Sequence, residues 1–98
     1  MSKTQTNNFD ISGKVLEVGA AERISDKFSK RVLVLEVFNN TYPNEVPFDF
    51  SNHNLSQVND ISPGDWVTVN YALKAFRKER DSVVRRFISL EGISCYKE

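Results

Sequence analysis

The strongest concentration of charge in this sequence of 98 residues lies between residues 74 and 86. Six basic side chains there are opposed only by Glu79 and Asp81, which leaves a local charge of +4 in a chain whose formal net charge is zero. The six are Lys74, Arg77, Lys78, Arg80, Arg85 and Arg86. No Lys or Arg occurs between Glu36 and Asp65, so the charge is strongly polarised along the chain. A segment of this kind attracts phosphate groups or another polyanion.

The same segment can be interpreted as a helix or as part of a hairpin. In a helix, Arg77 and Asp81 would form an i,i+4 pair on a solvated face. Val83 and Val84 favour β structure instead, so we predict the end of one strand, a basic loop and the start of the next strand. In that arrangement Arg77, Lys78 and Arg80 form a mobile basic rim, whereas Arg85 and Arg86 are held in a strand as fixed contacts.

Residues suited to catalysis or metal binding are few. The chain has one histidine, His53, which we place at the surface near a helix start, and one cysteine, Cys95, so no disulfide within the chain and no His/Cys zinc cluster can form. No Ser or Cys has a recognisable spacing to a general base, and the four glycines make no phosphate-binding pattern. We therefore expect no enzymatic activity, no cofactor and no metal.

Length and composition predict one soluble domain. The chain is 40% hydrophobic and 27% charged, which is ordinary for a globular protein. We expect a flexible N-terminus over residues 1–8 and a single domain over residues 9–98. No apolar run approaches the roughly 18 residues of a membrane span, and the N-terminus lacks the apolar core of a secretion signal. The expected location is the cytoplasm of a bacterial or phage-infected cell, with no membrane association.

Alternating apolar residues predict five strands and one short helix. The strands are FDISGKVLEV, RVLVLEVF, EVPFDF, WVTVNYALKAF and VVRRFISLEGISCY, and the helix is SNHNLSQVNDI, between the third and fourth strands. The stretch GAAERISDKFSK is predicted as a loop. Phe9, Phe48, Phe50 and Tyr71 are assigned to the core. This order is typical of the OB-fold, a small partly open all-β barrel; an SH3-like barrel is the alternative.

An OB-fold would bring two basic segments together. The connections between strands one and two and between strands four and five flank the same face of the barrel, so Lys27, Lys30 and Arg31 would border one groove with the segment from residue 74 to residue 86. Unpaired bases stack on aromatic side chains at about 1 to 3 kcal/mol per base. Phe28 and Phe76 are the best placed for stacking, Trp66 is ambiguous because it alternates to the outside, and Phe87 could instead close the core.

Three stretches resemble a known family. FSKRVLVLEV, YPNEVPFDF and SPGDWVTVNYAL are similar to a family of short bacterial and phage OB-fold proteins, mostly of unknown function, that is related to single-stranded DNA-binding proteins. The resemblance implies an OB-fold that binds single-stranded DNA and points to Phe28, Lys30 and Arg31. This chain departs from the family in its longer, more basic connection between strands four and five and in lacking a Trp in the last strand, so contacts there are not carried over.

The expected function is non-catalytic binding of single-stranded DNA, largely independent of sequence, in replication, recombination or repair. The alternatives are a protein-interaction module and a binder of single-stranded RNA. The oligomeric state is open: Val32 and Val34 are candidates either for a homodimer interface or for the binding face. The predicted nucleic-acid contacts are Phe28, Lys30, Arg31, Trp66, Lys74, Phe76, Arg77, Lys78, Arg80, Arg85 and Arg86.

Overall fold

Six strands and one short helix make up the structure, a computed structural model that describes residues 8–98. The predicted flexible N-terminus lies outside the described residues except for Asn8, which begins the first strand. The elements are β1 (Asn8–Val18), β2 (Glu22–Ser25), β3 (Phe28–Asn39), β4 (Tyr42–Ser51), the 3-10 helix η1 (Asn52–Val58), β5 (Trp66–Arg80) and β6 (Val83–Lys97).

Five of the strands close into a barrel. β1 pairs antiparallel with both β3 and β5, β5 pairs with β6, and β4 pairs with β3. The ring is completed where β4 meets β6 in parallel at a single residue pair, Asp49 and Glu91. This connectivity is that of an OB-fold, so the predicted fold class is confirmed. β2 is a short strand that was not predicted. When only the five long strands are counted, η1 lies between the third and the fourth, as predicted.

The barrel interior is filled by apolar residues that alternate along the strands, together with one residue of η1. The fully enclosed side chains are Val15, Leu33, Leu35, Phe48, Phe50, Val58, Val67 and Val69. Phe48 and Phe50 are therefore core residues, as predicted, and Tyr71 is half-buried with its ring centroid 5.2 Å from that of Phe48. The assignment of Phe9 to the core is wrong, because this ring lies at the open end of the barrel against Tyr71 and is 41% exposed.

The stretch predicted as a loop between the first two long strands contains a hairpin instead. β2 pairs antiparallel with the start of β3, and Ser25 lies opposite Phe28 across a two-residue turn. Lys30 and Arg31 therefore lie within β3 rather than in a loop. Because successive strand residues point to opposite faces, these two adjacent cations must point in opposite directions.

The basic loop predicted between the last two long strands is also absent. β5 continues to Arg80 and β6 starts at Val83, with Asp81 and Ser82 as the two turn residues. Both turn residues have positive φ, 53° and 66°, which is typical of the type I′ turn that matches strand twist in two-residue hairpins. All six cations therefore lie in strands, and the predicted loop position of Arg77, Lys78 and Arg80 is wrong.

The β5/β6 hairpin extends beyond the barrel. Among the described residues, the last pair that joins β5 to β1 is Asn8 with Ala72, and the sheet pairing between β6 and β4 occurs only at Glu91. Within residues 8–98, residues 73–80 and 83–90 thus pair only with each other, and we call residues 73–90 the arm. At about 3.3 Å per residue, the arm is roughly 23 Å long.

The helix η1 closes one end of the barrel. Ser51 occupies the N-cap position, but its side chain makes no capping hydrogen bond. The helix is a 3-10 helix, and its last residue, Val58, is buried. Within residues 8–98, no helix has the length and apolar character needed to cross a membrane.

The barrel closes over Phe50 because residue 92 has no side chain. A Cβ atom at Gly92 would lie 2.3 Å from Cζ of Phe50 and 2.5 Å from both adjacent ring carbons. Both residues are buried, so neither the ring nor the strand has free space into which to move. A glycine is thus required at this position by close approach.

We predict that Gly92→Ala lowers the free energy of unfolding by about 1 to 3 kcal/mol, the usual cost of inserting a methyl group into a packed core. Urea denaturation measures the loss. In a Phe50→Leu background the ring is gone, so the same substitution should cost clearly less. An equal cost in both backgrounds would contradict the proposed contact.

Candidate functional site

The arm has two faces of different character. Residues that lie directly opposite each other in an antiparallel pair share a face, and alternate residues along a strand change face. The pairs Lys74/Ser89, Phe76/Phe87, Lys78/Arg85 and Arg80/Val83 therefore share one face, and the pairs Leu73/Leu90, Ala75/Ile88, Arg77/Arg86 and Glu79/Val84 share the other. We call these the outer and inner faces, since the inner one continues the barrel interior at Val69 and Tyr71.

The outer face combines cations with aromatic rings and has no carboxylate among its eight residues. Its cations are Lys74, Lys78, Arg80 and Arg85, all exposed. Phe76 is 50% and Phe87 is 44% exposed, and Nζ of Lys78 lies 5.9 Å from the ring centroid of Phe87. This face therefore offers alternating positive charge and flat apolar surface.

The inner face carries the other two arm arginines and an apolar surface. Nη2 of Arg77 lies 3.2 Å from Oε1 of Glu79. Leu73 and Ile88, 55% and 75% exposed, lie on this face with Arg86. The two predicted groups of cations are therefore each split between the faces. Arg85 is on the outer face and Arg86 on the inner one, and Lys78 and Arg80 are on the outer face and Arg77 on the inner one.

A groove of about 550 Å³ lies where the arm leaves the barrel. Its lining residues are Phe28, Lys30, Asp49, Ser51, Asn52, His53, Asn54, Lys74, Phe76, Ser89 and Glu91. Lys74, Phe76 and Ser89 also belong to the outer face of the arm, so the groove and that face are continuous. The structure thus brings together four of the predicted contacts from distant parts of the sequence: Phe28, Lys30, Lys74 and Phe76.

The strand order arranges the groove in three parts. Across the surface the strands run β3, β4, β6, β5. Phe28 and Lys30 of β3 therefore form one side, and Lys74 and Phe76 of β5 form the other. With neighbouring strands about 4.8 Å apart, the two sides are separated by roughly 14 Å.

The floor of the groove is formed by β4 and β6 and is acidic. Asp49 and Glu91 are partners in the parallel pair that closes the barrel. Oγ of Ser89 donates a hydrogen bond to Oδ2 of Asp49 at 3.1 Å, and Nζ of Lys74 lies 2.5 Å from Oε2 of Glu91. Glu91 is thus compensated by a cation, whereas Asp49 keeps its charge beside a hydroxyl donor, and both carboxylates are only partly buried.

Two asparagines hold the sides of the groove in position. Asn52 adopts a left-handed backbone conformation, φ 48°, which Asn tolerates better than most residues, and its Oδ1 accepts a hydrogen bond from the Ser29 N–H at 3.1 Å. This bond ties the start of β3, and hence Phe28, to η1. Nδ2 of Asn54 donates to the Gly92 carbonyl at 3.3 Å and ties η1 to β6.

Arg31 faces away from the groove. Its Nε donates to the Gly19 carbonyl at 3.1 Å, and its Nη1 donates to Oδ1 of Asn59 at 3.0 Å. The guanidinium therefore joins the end of β1 to the end of η1. This geometry does not support its predicted phosphate contact, because Arg31 lies on the same face of β3 as the buried residues Leu33 and Leu35.

Trp66 and Lys27 also lie apart from the groove. Trp66 is 51% exposed and pairs with Lys14 on the β1 side of the barrel, ten residues along β5 from Phe76, or roughly 33 Å. Lys27 is an exposed turn residue of the β2/β3 hairpin and does not line the groove. The second basic segment thus contributes Lys30 alone.

Sequence reasoning missed the groove floor. In the sequence alone, Asp49, Ser89 and Glu91 carry no signal of a site. The missing information was the parallel β4/β6 pair, which joins residues 42 positions apart and has no local sequence pattern. The placement of His53 near a helix start is correct, and the exposed side chain borders the groove.

Comparison with protein families gives one match. Residues 10–94 match the family described as "Domain of unknown function (DUF3127)". The chain belongs to this family. The match covers nearly all of the described residues and agrees with the expected family of mostly unknown function. No curated protein sequence matches the chain significantly.

Solved structures with the same fold include several single-stranded DNA-binding proteins. The mitochondrial single-stranded DNA-binding protein Rim1 of S. cerevisiae aligns with a TM-score of 0.74 at 13% identity over 96% of each chain. The Plasmodium falciparum SSB in complex with single-stranded DNA aligns at 0.64 and 13% identity, over 100% of this chain and 99% of the other. A small single-stranded DNA-binding protein from Streptomyces coelicolor aligns at 0.55 and 12% identity, over 97% and 96%. At these identities the comparison establishes the fold.

We predict opposite roles for the two adjacent cations of β3. Arg31→Met removes two hydrogen bonds made by a charged group and should lower the free energy of unfolding by about 1 to 2 kcal/mol. Lys30→Met, on the outer side, should change it by less than about 0.5 kcal/mol. Urea denaturation of the two variants checks this, and equal losses would contradict the assigned orientations.

Proposed function

We propose that this protein binds single-stranded DNA along a surface formed by the groove and the outer face of the arm. The observation that carries the proposal is the continuity of these two regions. Five cations, Lys30, Lys74, Lys78, Arg80 and Arg85, share that surface with three aromatic rings, Phe28, Phe76 and Phe87.

The cations supply attraction for a phosphate backbone. On the outer face, alternate residues of β5 place Lys74, Lys78 and Arg80 along one line, and Arg85 stands directly opposite Lys78. Exposed cations that displace counterions from a nucleic acid make binding fall steeply with salt. Since the rest of the chain is relatively acidic, the attraction is confined to one part of the molecule.

The rings supply the second requirement for a single strand. Unpaired bases expose flat faces that stack on aromatic side chains, whereas the bases of a duplex are already stacked on each other. Phe28, Phe76 and Phe87 are between 38% and 50% exposed on the proposed surface. A preference for single strands over duplex follows from this combination.

The proposed role is non-catalytic. The protein would coat or capture single strands exposed during replication, recombination or repair. The fold shared with single-stranded DNA-binding proteins is consistent with this role. RNA would meet the same cations and rings, so single-stranded RNA is the closest competing ligand.

Charge reversal on the two faces of the arm tests the proposal. Lys78→Glu with Arg85→Glu reverses an opposed pair on the outer face, and we expect affinity for oligo-dT to fall by about tenfold or more, with a shallower dependence on salt. Fluorescence anisotropy at several salt concentrations measures both quantities.

The matched control is Arg77→Glu with Arg86→Glu, the opposed pair on the inner face. It makes the same change in net charge one residue closer to the barrel on each strand, and at about 0.15 M salt its effect on the far face is largely screened. An equal loss in both double variants would contradict binding on the outer face. Absence of oligo-dT binding by the unaltered protein at about 50 mM salt would refute the proposed function.

We predict that Phe28→Ala and Phe76→Ala each weaken binding of oligo-dT by about 1 to 3 kcal/mol, the usual loss of one stacked base. The salt dependence should stay unchanged because no charge is removed. Phe38→Ala serves as the control, since Phe38 is 57% exposed at the far end of β3 and does not line the groove. Equal effects of all three substitutions would argue against specific stacking.

A second candidate function is a protein-interaction module, and the inner face of the arm favours it. Leu73 and Ile88 are apolar, strongly exposed and adjacent to the charged pair of Arg77 and Glu79. Exposed apolar surface of this kind is common where proteins contact each other. The inner-face double variant distinguishes the two functions, because it should impair partner binding and spare DNA binding.

A further inference from the structure

The groove floor has a charge opposite to that of its surroundings. Lys30 and Lys74 stand on its sides, whereas Asp49 and Glu91 lie between them on β4 and β6. Glu91 is neutralised by Lys74 at 2.5 Å. Among the residues that the structure describes, Asp49 has a neutral partner only, the Ser89 hydroxyl at 3.1 Å, so its negative charge remains available in the groove.

This arrangement fixes which side of a bound strand faces inward. A carboxylate repels a phosphate group, so the backbone of a single strand will lie over the cations rather than over the floor. The bases then point inward, between Phe28 and Phe76 on the two sides. The edge of a base, rather than its face, meets the floor.

A carboxylate accepts hydrogen bonds and donates none. The two oxygens of Asp49 offer about four lone-pair sites, of which the Ser89 hydroxyl occupies one. Guanine presents two neighbouring donors on its Watson–Crick edge, the ring N1–H and the exocyclic amino group, and these match a carboxylate. Thymine presents one N–H between two carbonyl oxygens, and the carboxylate repels both of these oxygens. Adenine and cytosine each present one amino group beside an unprotonated ring nitrogen.

We infer that Asp49 reads the Watson–Crick edge of an unpaired guanine, so that one position of the bound strand has a base preference. The inference rests on the proposed function, since the groove must first hold single-stranded DNA. It adds to that function one residue that recognises one base. A surface that binds independently of sequence would show no such preference.

Synthetic oligonucleotides test the preference directly. Oligo-dT is compared with the same strand carrying one central guanine, which avoids any structure formed by guanine runs. We expect the guanine strand to bind about tenfold more tightly, the usual discrimination of one bidentate pair. Hypoxanthine at that position lacks the exocyclic amino group and should lose most of the gain, whereas 7-deazaguanine keeps the Watson–Crick edge and should retain it.

The variant Asp49→Asn assigns the preference to this residue. The amide keeps the size of the side chain and an acceptor for Ser89 but replaces one oxygen by a donor. We expect the guanine and oligo-dT strands to bind the variant with similar affinity, while binding of oligo-dT itself is kept or strengthened. Glu45→Gln is the matched control, because it removes one carboxylate from the same face of β4 outside the groove and should leave the preference intact.

Three results would overturn the inference while leaving the proposed function in place. They are equal binding of the guanine and oligo-dT strands by the unaltered protein, a preference that survives Asp49→Asn, and a tighter binding of all strands alike by that variant. Failure of every strand to bind would instead refute the proposed function, and the inference with it.

Discussion

The close approach of Gly92 to the ring of Phe50 is the contact on which the rest of the structure depends. With no Cβ at residue 92, β6 can lie directly on the aromatic core, and its neighbour Glu91 comes into register with Asp49 of β4. That single parallel pair completes the barrel. A side chain at residue 92 would press on the Phe50 ring and strain the contact between β6 and β4.

Barrel closure also determines where the arm begins. β6 has a barrel partner on the β4 side only at Glu91, and the described part of β1 reaches β5 only as far as Ala72. Beyond these residues the two strands continue together, and the alternation that filled the core now leaves an apolar inner face and a basic outer face. The acidic floor and the basic outer face are therefore both consequences of one closure point.

Position on a face, rather than distance along the chain, separates the cations. Arg85 and Arg86 are neighbours in sequence, yet they lie on opposite faces of a two-stranded ribbon. Lys30 and Arg31 divide in the same way: Lys30 lines the groove, and Arg31 joins the ends of β1 and η1 through two hydrogen bonds. A count of basic residues per segment therefore overestimates the charge that any one ligand could meet.

From the sequence alone the five long strands, the core positions of Phe48 and Phe50 and the kind of barrel could be predicted, because period-two alternation and turn residues act locally; β2 and the exposure of Phe9 could not. The sequence also identified Phe28, Lys30, Lys74 and Phe76, since aromatic and basic residues at strand ends are visible in one dimension. It did not determine the length of the arm, because a type I′ turn at Asp81 and Ser82 resembles an ordinary polar loop. Tertiary structure alone decided which cations share a surface and placed Asp49 beside Glu91, because strand faces and a parallel pair between distant residues depend on closure of the whole barrel.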